Sequence, residues 1–444
     1  MAATMATSEA RTYWVETLGC PKNQVDSDKL TGTLLADGLS PAPGPDQADL
    51  VVVNTCAFIE EARQESVATI LDLAEARRSD SRLVVTGCLA ERYGDELAAE
   101  LPEVDLVAGF GHGIDPGRAA VPEPSSGSVA VAVRLGTKPA PAGSSVADFD
   151  LLNLPRPAAT APWAYVKVAE GCDRACGFCA IPTFRGPQRS RDLDTVLREI
   201  DELQVQEVVL VAQDLVSFGR DQGQGELSLV PLVEAAAQRV PRVRLLYLYP
   251  SGLTDRLVDA VCGTGVPYFD LSLQHVSRPL LRRMRRPGDA TSFLERIARI
   301  RALEPTAAFR SNFIVGYPGE TEDDHDELLR FVEEAQVDWC GFFAYSREEG
   351  TYAAGLDGQV PRALVDDRLA ELRELQDAIT ARKRDELVGS RVEVLVDAPG
   401  VARGHREAPE IDGVVTVPGD LETGTFHTLT VVSAAGPDLE ASRG

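Results

Sequence analysis

Glu170-Gly171-Cys172-Asp173-Arg174-Ala175-Cys176-Gly177-Phe178-Cys179 puts three thiols within eight residues, directly behind the apolar run Ala164 to Val168. Three thiolates on one tight loop, spaced C-x-x-x-C-x-x-C, can each bind a different iron of a 4Fe-4S cube and leave the fourth iron without a protein ligand. Zinc is the rival metal. A closed zinc site takes four ligands, and this loop supplies three with no histidine beside it, although the fold could bring His275 or another close.

Outward from that loop, β-like runs alternate with helix-like stretches. The runs are Ala164 to Val168, Glu207 to Ala212, Val243 to Tyr249, Tyr268 to Leu273, Phe309 to Val315, and Trp339 to Tyr345. Such alternation reads as six βα units around a parallel sheet, an incomplete barrel whose working residues lie on the loops after the strands. A charged, helix-patterned segment from Pro361 to Leu387 follows. Beyond it, short strands at Val392 to Val396, Gly413 to Val417 and Thr428 to Val432, with Gly and Pro between them, fit a small β-barrel of the oligonucleotide-binding type.

Upstream, three strand-like runs each end in a cysteine: Tyr13 to Leu18 before Cys20, Leu50 to Val53 before Cys56, and Leu83 to Val85 before Cys88. Continuous β-branched runs such as Val51 to Val53 mark strands buried on both faces of a parallel sheet, where ligands bind beyond the carboxyl ends. Three cysteines just past such ends can meet despite their separation in the chain. The rival reading of each, a small buried hydrophobe, is weakened by the repeated strand-then-cysteine placement.

The domain organisation expected is a disordered N-terminus at 1–10 and an α/β domain at 11–117. A Pro/Gly/Ser-rich linker at 118–160, a barrel domain with its connecting helix at 161–387, and a small antiparallel barrel at 388–444 complete it. At 444 residues, with 44% hydrophobic and 25% charged residues, the chain has the composition of a folded protein of several domains. No stretch reaches the roughly 20 consecutive apolar residues of a bilayer span, and Met1 to Ala10 lacks a basic region followed by an apolar one, so the expected place is the cytoplasm, without a membrane. Eight cysteines are too few for a disulfide scaffold, and clustered thiols in a reducing compartment more often hold metal. A net charge of -25 repels nucleic acid at long range and suits a basic partner.

The cysteine loop after a first barrel strand resembles the radical S-adenosylmethionine superfamily. That resemblance implies a cluster whose open iron binds the amino and carboxylate groups of S-adenosylmethionine, and one-electron cleavage to a 5'-deoxyadenosyl radical. It also implies roles for Phe178 beside the adenine, for Gln213 and Arg310 at the methionine part, and for Gly316 within Ile314-Val-Gly-Tyr-Pro-Gly-Glu near the adenine.

Three separated N-terminal cysteines, a radical domain and a C-terminal TRAM-like barrel together resemble the methylthiotransferases. Cys20, Cys56 and Cys88 would then hold a second 4Fe-4S cluster carrying the sulfur or methylthio group, beside the cluster on Cys172, Cys176 and Cys179. A second S-adenosylmethionine would give the methyl group. Glu16-Thr-Leu-Gly-Cys-Pro-Lys-Asn-Gln-Val-Asp-Ser and Glu407-Ala-Pro-Glu-Ile-Asp-Gly are similar to the branch that modifies the β-carbon of an aspartate of small-subunit ribosomal protein twelve. From 389 to 444 four Arg and no Lys face nine Asp plus Glu, a poor set for gripping RNA and a fair one for a basic ribosomal protein. The rivals are a tRNA (adenosine) methylthiotransferase of the same chemistry and a non-catalytic iron-sulfur carrier.

No residue pattern marks an acid or base, nor does the sequence identify the reductant protein or the sulfur source that the chemistry calls for. Cys262 and Cys340 read as packed residues, and His112, His325, His405 and His427 as surface or structural ones.

Overall fold

The computed structural model describes residues 11–110, 114, 150–223 and 229–444. The expected disordered stretch 1–10, His112, and the linker from 118 to 149 lie outside the described residues. The chain forms two compact units, one made of Met1–Pro157 with Thr183–Arg185, the other of Ala158–Pro182 with Gly186–Gly444.

The first unit is a parallel sheet in the order β2-β1-β3-β4-β5, with β1 at Thr12–Thr17, β2 at Ser40–Pro41, β3 at Leu50–Thr55, β4 at Arg82–Gly87 and β5 at Leu106–Ala108. Every residue of β3 is buried, which is why it reads as an unbroken apolar run instead of an alternating one. Helices α1 (Pro21–Ala36), α2 (Glu60–Ala76) and α3 (Cys88–Glu100) follow β1, β3 and β4. In the strand order 2-1-3-4-5 the connections diverge between β1 and β3, and the crevice at their carboxyl ends is where such sheets bind ligands. The end of the expected linker is anchored here. Lys29 donates to the Leu154 carbonyl at 2.7 Å, Arg156 pairs with Asp28, and a Cβ on Gly32 would stand 2.4 Å from the Pro155 oxygen.

In the second unit, β6 (Trp163–Lys167) leads into a short antiparallel pair, β7 (Ala169–Glu170) with β8 (Arg189–Ser190), that closes the base of the cysteine loop. Helix α4 (Ile181–Phe184) lies in that loop. Then α5 (Leu193–Leu203), β9 (Glu207–Val211), α6 (Leu229–Ala237), β10 (Arg242–Leu245), α7 (Asp255–Cys262), β11 (Tyr268–Gln274), α8 (Arg278–Arg283), α9 (Ala290–Leu303), β12 (Ala308–Val315), α10 (Glu322–Ala335), β13 (Trp339–Ala344) and α11 (Arg362–Asp385) complete the βα alternation.

The six long strands form two parallel three-stranded sheets, β6-β9-β10 and β11-β12-β13, joined by a bridge between Leu248 and Leu271. That junction explains why β10 stops at Leu245 although its apolar run continues to Tyr249. Tyr247 turns to φ 64° and gives its N–H to the Asp270 carboxylate, after which Leu248 changes partner and bonds to Asp270 and Ser272 of β11.

Along the strands Val208, Leu210, Val243, Leu245, Phe269, Leu271, Phe309 and Phe313 pack in the main core cluster, while the alternate residues Tyr165, Lys167, Arg244, Asp270 and Arg310 form the other face. The chain ends in a closed barrel of β14 (Arg391–Ala398), β15 (Val401–Arg403), β16 (Val415–Thr416), β17 (Phe426–Ala435) and β18 (Asp438–Ser442) with its own small core.

The loop from Arg403 to Asp412 is built into the amino-terminal end of the α/β barrel. Glu207, fully buried, accepts from Arg244 Nε at 2.8 Å and from Arg403 Nη1 at 3.3 Å. Arg384 pairs with Glu407 at 2.5 Å, the Trp339 indole donates to the Arg406 carbonyl, the Tyr165 hydroxyl to the Pro409 carbonyl, and the Tyr268 hydroxyl to Asp412 at 2.6 Å. The small barrel is thereby the floor of the larger one. Among the described residues no helix is long and apolar enough to cross a membrane.

Candidate functional site

Cys20, Cys56 and Cys88 follow the three adjacent strands β1, β3 and β4. Cys20 is the N-cap of α1, with proline next to it, and Cys88 is the first residue of α3. Helix amino termini carry partial positive charge and favour anionic sulfur. The three thiols are close enough that ionising any one opposes ionising the others. Gly19 fits only as glycine: its φ is +96°, and a Cβ there would lie 2.8 Å from the Cys56 Cβ. Asn23 ties the loops together by donating to the Leu18 carbonyl at 2.8 Å and the Thr55 carbonyl at 3.0 Å. Ser66 holds Cys56 from both sides, accepting its N–H and donating to its carbonyl.

Arg185 completes this cluster. Its Nε and Nη2 donate to Cys88 Sγ at 3.3 and 3.0 Å, Nη2 also to Asn23 at 2.7 Å, and Nη1 faces Asp26 at 3.3 Å. Burial alone would raise the Cys20 thiol, yet the charges of Lys22 and Arg185 and the backbone N–H groups of Asn23 and Lys22 hold it below its ordinary value. At Cys56, burial and the neighbouring Cys20 and Cys88 outweigh the Phe58 N–H and the Arg185 charge and push the thiol up to about 12. Burial raises Cys88 as well, against the pull of Arg185.

Cys172, Cys176 and Cys179 share the loop above β6. Gly171 at φ +74° lets the loop return on itself, since a Cβ there would stand 2.1 Å from the Pro187 carbonyl oxygen. The Cys172 N–H donates to Gly186, and Gly177 is held on both sides by Met284 and Ala353 backbone groups. Arg286 Nη1 donates to Cys176 Sγ at 3.3 Å, and its guanidinium faces the Tyr249 ring, which Arg174 covers as well, each 4.1 Å from the ring centre. Arg174 is fixed by Asp214 at 2.5 Å. Burial pushes Cys172 up to about 11 and Cys179 to about 12.

Thiols gathered in threes, each group holding an arginine donor to sulfur, fit a site whose thiolates are held by an iron-sulfur cluster. Among the described residues no group of three His, Cys, Asp or Glu side chains is gathered tightly enough to hold a single metal ion. A zinc ion would need four donors drawn onto one point.

Phe178 lies on the cysteine loop, packed against the main core cluster. Gln213, just past β9, donates to Glu170 at 2.7 Å, and its buried Oε1 has no partner among the described residues. Lys167, almost fully buried, pairs with the same Glu170. Gly316 begins a turn cinched by Glu320, which accepts the Gly316 and Tyr317 N–H groups at 2.6 and 3.2 Å and is neutralised by Arg368 at 2.9 Å. Tyr317 carries this turn to the cysteine loop, its hydroxyl 2.9 Å from where a Gly177 Cβ would be.

Arg310, expected at the methionine part of S-adenosylmethionine, is the third residue of β12 and pairs with Asp270 at 3.0 Å and Asp412 at 3.6 Å in the floor. At about 3.3 Å per residue, five residues put it roughly 16 Å before the carboxyl end of its strand.

Sequence reading missed Arg185, Arg286 and Glu170, because single charged residues near a motif carry no spacing signal. Asn23 was quoted only as a branch marker. Cys262 closes α7 and Cys340 lies in β13, His325 pairs with Glu371, His405 bonds to the Thr306 carbonyl and His427 to Thr425. A cavity of about 540 Å³ between α2 and α3, lined by Arg63, Leu71, Leu89 and Tyr93 among others, touches none of the six triad cysteines.

Comparison with known proteins matches residues 12–109 to Uncharacterized protein family UPF0004, 166–332 to the Radical SAM superfamily and 388–443 to the TRAM domain. The chain is similar to the ribosomal protein uS12 methylthiotransferase RimO of Salinispora tropica, with 41% identity across 98% of this chain and 96% of that one. The corresponding protein of Moorella thermoacetica is 42% identical, covering 91% of this chain and 93% of that one. That of Aquifex aeolicus is 40% identical, covering 96% and 95%.

Proposed function

The chain belongs to the family of ribosomal protein uS12 methylthiotransferases, and from that membership we propose that it places a methylthio group on the β-carbon of an aspartate of ribosomal protein uS12. The family's radical domain implies a 4Fe-4S cluster and S-adenosylmethionine. In our reading Cys172, Cys176 and Cys179 hold that cluster, and Cys20, Cys56 and Cys88 hold a second one. The observation that carries the reading is the pairing of family membership with two separate sets of three mutually close thiols, each beside an arginine donor.

Bound on the second triad, cluster and cofactor supply one-electron cleavage of a carbon-sulfur bond and hydrogen removal from an unactivated carbon. The residues of the chain do the rest. Gln213 offers its buried, unpartnered Oε1 to the cofactor, with its amide fixed by Glu170. Phe178 and the turn at Gly316 provide apolar and backbone surface for the adenine. Arg286 gives Cys176 a hydrogen bond and a positive charge while the Tyr249 ring holds its guanidinium flat. On the first triad, the helix termini of α1 and α3 and the Arg185 guanidinium offset the negative charge of the thiolates.

The test compares intact masses of ribosomal proteins from strains with and without the gene. Loss of a methylthio mass increment from uS12 in the deletion strain is expected. An unchanged uS12, with a methylthio group missing from tRNA nucleosides instead, would move the substrate to tRNA. Cleavage of S-adenosylmethionine by the reduced, reconstituted protein separates either enzyme from an iron-sulfur carrier.

A further inference from the structure

Arg185 stands six residues after Cys179 in the sequence, yet it is counted with the first compact unit, where it is 3% exposed at the side chain. Burying a guanidinium requires that its donors be spent. Here two of its nitrogens point at one sulfur, Nε at 3.3 Å and Nη2 at 3.0 Å from Cys88 Sγ. The remaining directions are fixed by neighbours. Asp26, 1% exposed, faces Nη1, Asn23 accepts from Nη2, and the Phe110 ring lies 4.6 Å from the guanidinium carbon. One carboxylate and one amide thus aim a cationic fork at a thiol. Arg286 at the other triad is less committed, giving Cys176 one bond and the rest of its group to the Ser272 carbonyl and the Tyr249 ring.

We infer that Arg185 is a positioning residue that sets the reduction potential of the cluster proposed on Cys20, Cys56 and Cys88. This rests on the two-cluster reading above. Adding one electron to such a cluster adds one negative charge, spread in part onto its thiolate sulfurs. N–H donors and a fixed positive charge at Cys88 Sγ stabilise the reduced form over the oxidised one, so the potential is higher than the thiolates alone would give. Asp26 and Asn23 keep the fork aimed, so the effect comes from geometry as well as charge.

The experiment uses the full chain with Cys172, Cys176 and Cys179 all changed to Ala, loaded anaerobically with ferrous iron and sulfide. A mediated redox titration is followed by electron paramagnetic resonance. Arg185→Met should lower the reduced-to-oxidised ratio at a fixed poise at least tenfold, about 59 mV for a one-electron couple. Arg185→Lys, which keeps charge but not the fork, should fall between. Full iron with an unchanged potential in both variants overturns the inference. Loss of iron from both at an unchanged melting temperature also overturns it, since Arg185 would then be needed for assembly and not for tuning. If the parent triple variant itself binds no iron and sulfide, the two-cluster reading fails, a result distinct from either.

Discussion

Replacing Glu207 by Gln should unfold the second unit several degrees earlier while leaving both thiol triads intact. Glu207 is fully buried, as is Arg244, and Arg403 is 2% exposed. Its carboxylate neutralises Arg244 and Arg403 directly and Arg242 at longer range. An amide keeps the shape and removes the charge, so the guanidiniums are left buried against a neutral group. Breaking a buried ion pair from one side costs about 3–5 kcal/mol. The acidity agrees. Burial alone would raise this carboxyl, yet the arginines hold it at about 2 against an ordinary 4.5, a depression worth roughly 3 kcal/mol.

Because the folded value lies below the unfolded one, that stabilisation is complete above pH 4.5 and is lost as pH falls towards 2. At pH 7.5 the loss converts to roughly 6–12 °C at about 2–4 °C per kcal/mol. Thermal unfolding followed by far-ultraviolet circular dichroism, with iron content measured at 20 °C as control, is the assay. A fall of under 2 °C, or an equal fall at pH 7.5 and pH 3, would refute the reasoning.

Gly171→Ala forces a Cβ to within 2.1 Å of the Pro187 oxygen at a positive φ, so the loop must open. Iron bound at the second triad and 5'-deoxyadenosine formation should both fall more than tenfold, and a variant with full iron would contradict this. Cys56→Ala should reduce bound iron to about half and abolish methylthio transfer to uS12, while cleavage of S-adenosylmethionine persists; loss of that cleavage would argue against two independent triads. Asp412, raised by burial to about 6 against the opposing pull of Arg310 and Tyr268, should give the opposite pH signature to Glu207. Its folded value lies above the unfolded 3.8, so its contribution is full below pH 3.8 and lost as pH rises through 6. Asp412→Asn should therefore gain stability relative to the parent by about 3 kcal/mol between pH 4 and pH 7.5. A difference that stays flat across that range would show that Asp412 does not titrate there.

Residues that repeat a period were legible in the sequence, and residues that act through space were not. The strands before Cys56 and Cys88 stand out because they are covered on both faces, so Leu50 to Val53 need no polar alternation, while β1 before Cys20 is only half-buried. β9 and β10 of the larger barrel show for the same reason. β15 and β18 were missed: Val401–Arg403 is three residues long, and Asp438–Ser442 alternates acids with small apolar residues as loops also do. The break at Tyr247 is set by the Asp270 carboxylate, a neighbour 23 residues away that no local pattern reveals. The place of Arg310 within its strand is likewise set through space. An arginine on the fifth strand can serve the cofactor only if it lies near the carboxyl end, and its position within the strand depends on where pairing with β11 begins, at Tyr268 and Ala308.

The floor of the barrel changes what the C-terminal segment can signify. Glu407-Ala-Pro-Glu-Ile-Asp-Gly pointed to the ribosomal-protein branch, and an acidic segment invites the idea that it touches a basic substrate. Yet Glu407 is 1% exposed and bound to Arg384, the Asp412 side chain is 2% exposed and bound to Tyr268, and Ala408 is fully buried. These residues cannot reach a partner without unfolding the floor. Their likeness to the branch therefore expresses how the small barrel docks beneath β9, β11 and β13. Of the four arginines from 389 to 444, Arg403 is consumed by Glu207 and Asp397 and Arg443 by Asp420, while Glu393 and Asp420 stay largely exposed. With Glu407, Asp412 and the Asp397–Arg403 pair taken up inside, Arg391, Arg406 and Arg443 face Glu393, Glu410, Asp420, Glu422, Asp438 and Glu440, so the free surface of the small barrel stays acidic, which disfavours a phosphate backbone there for the same electrostatic reason that it accommodates a basic protein.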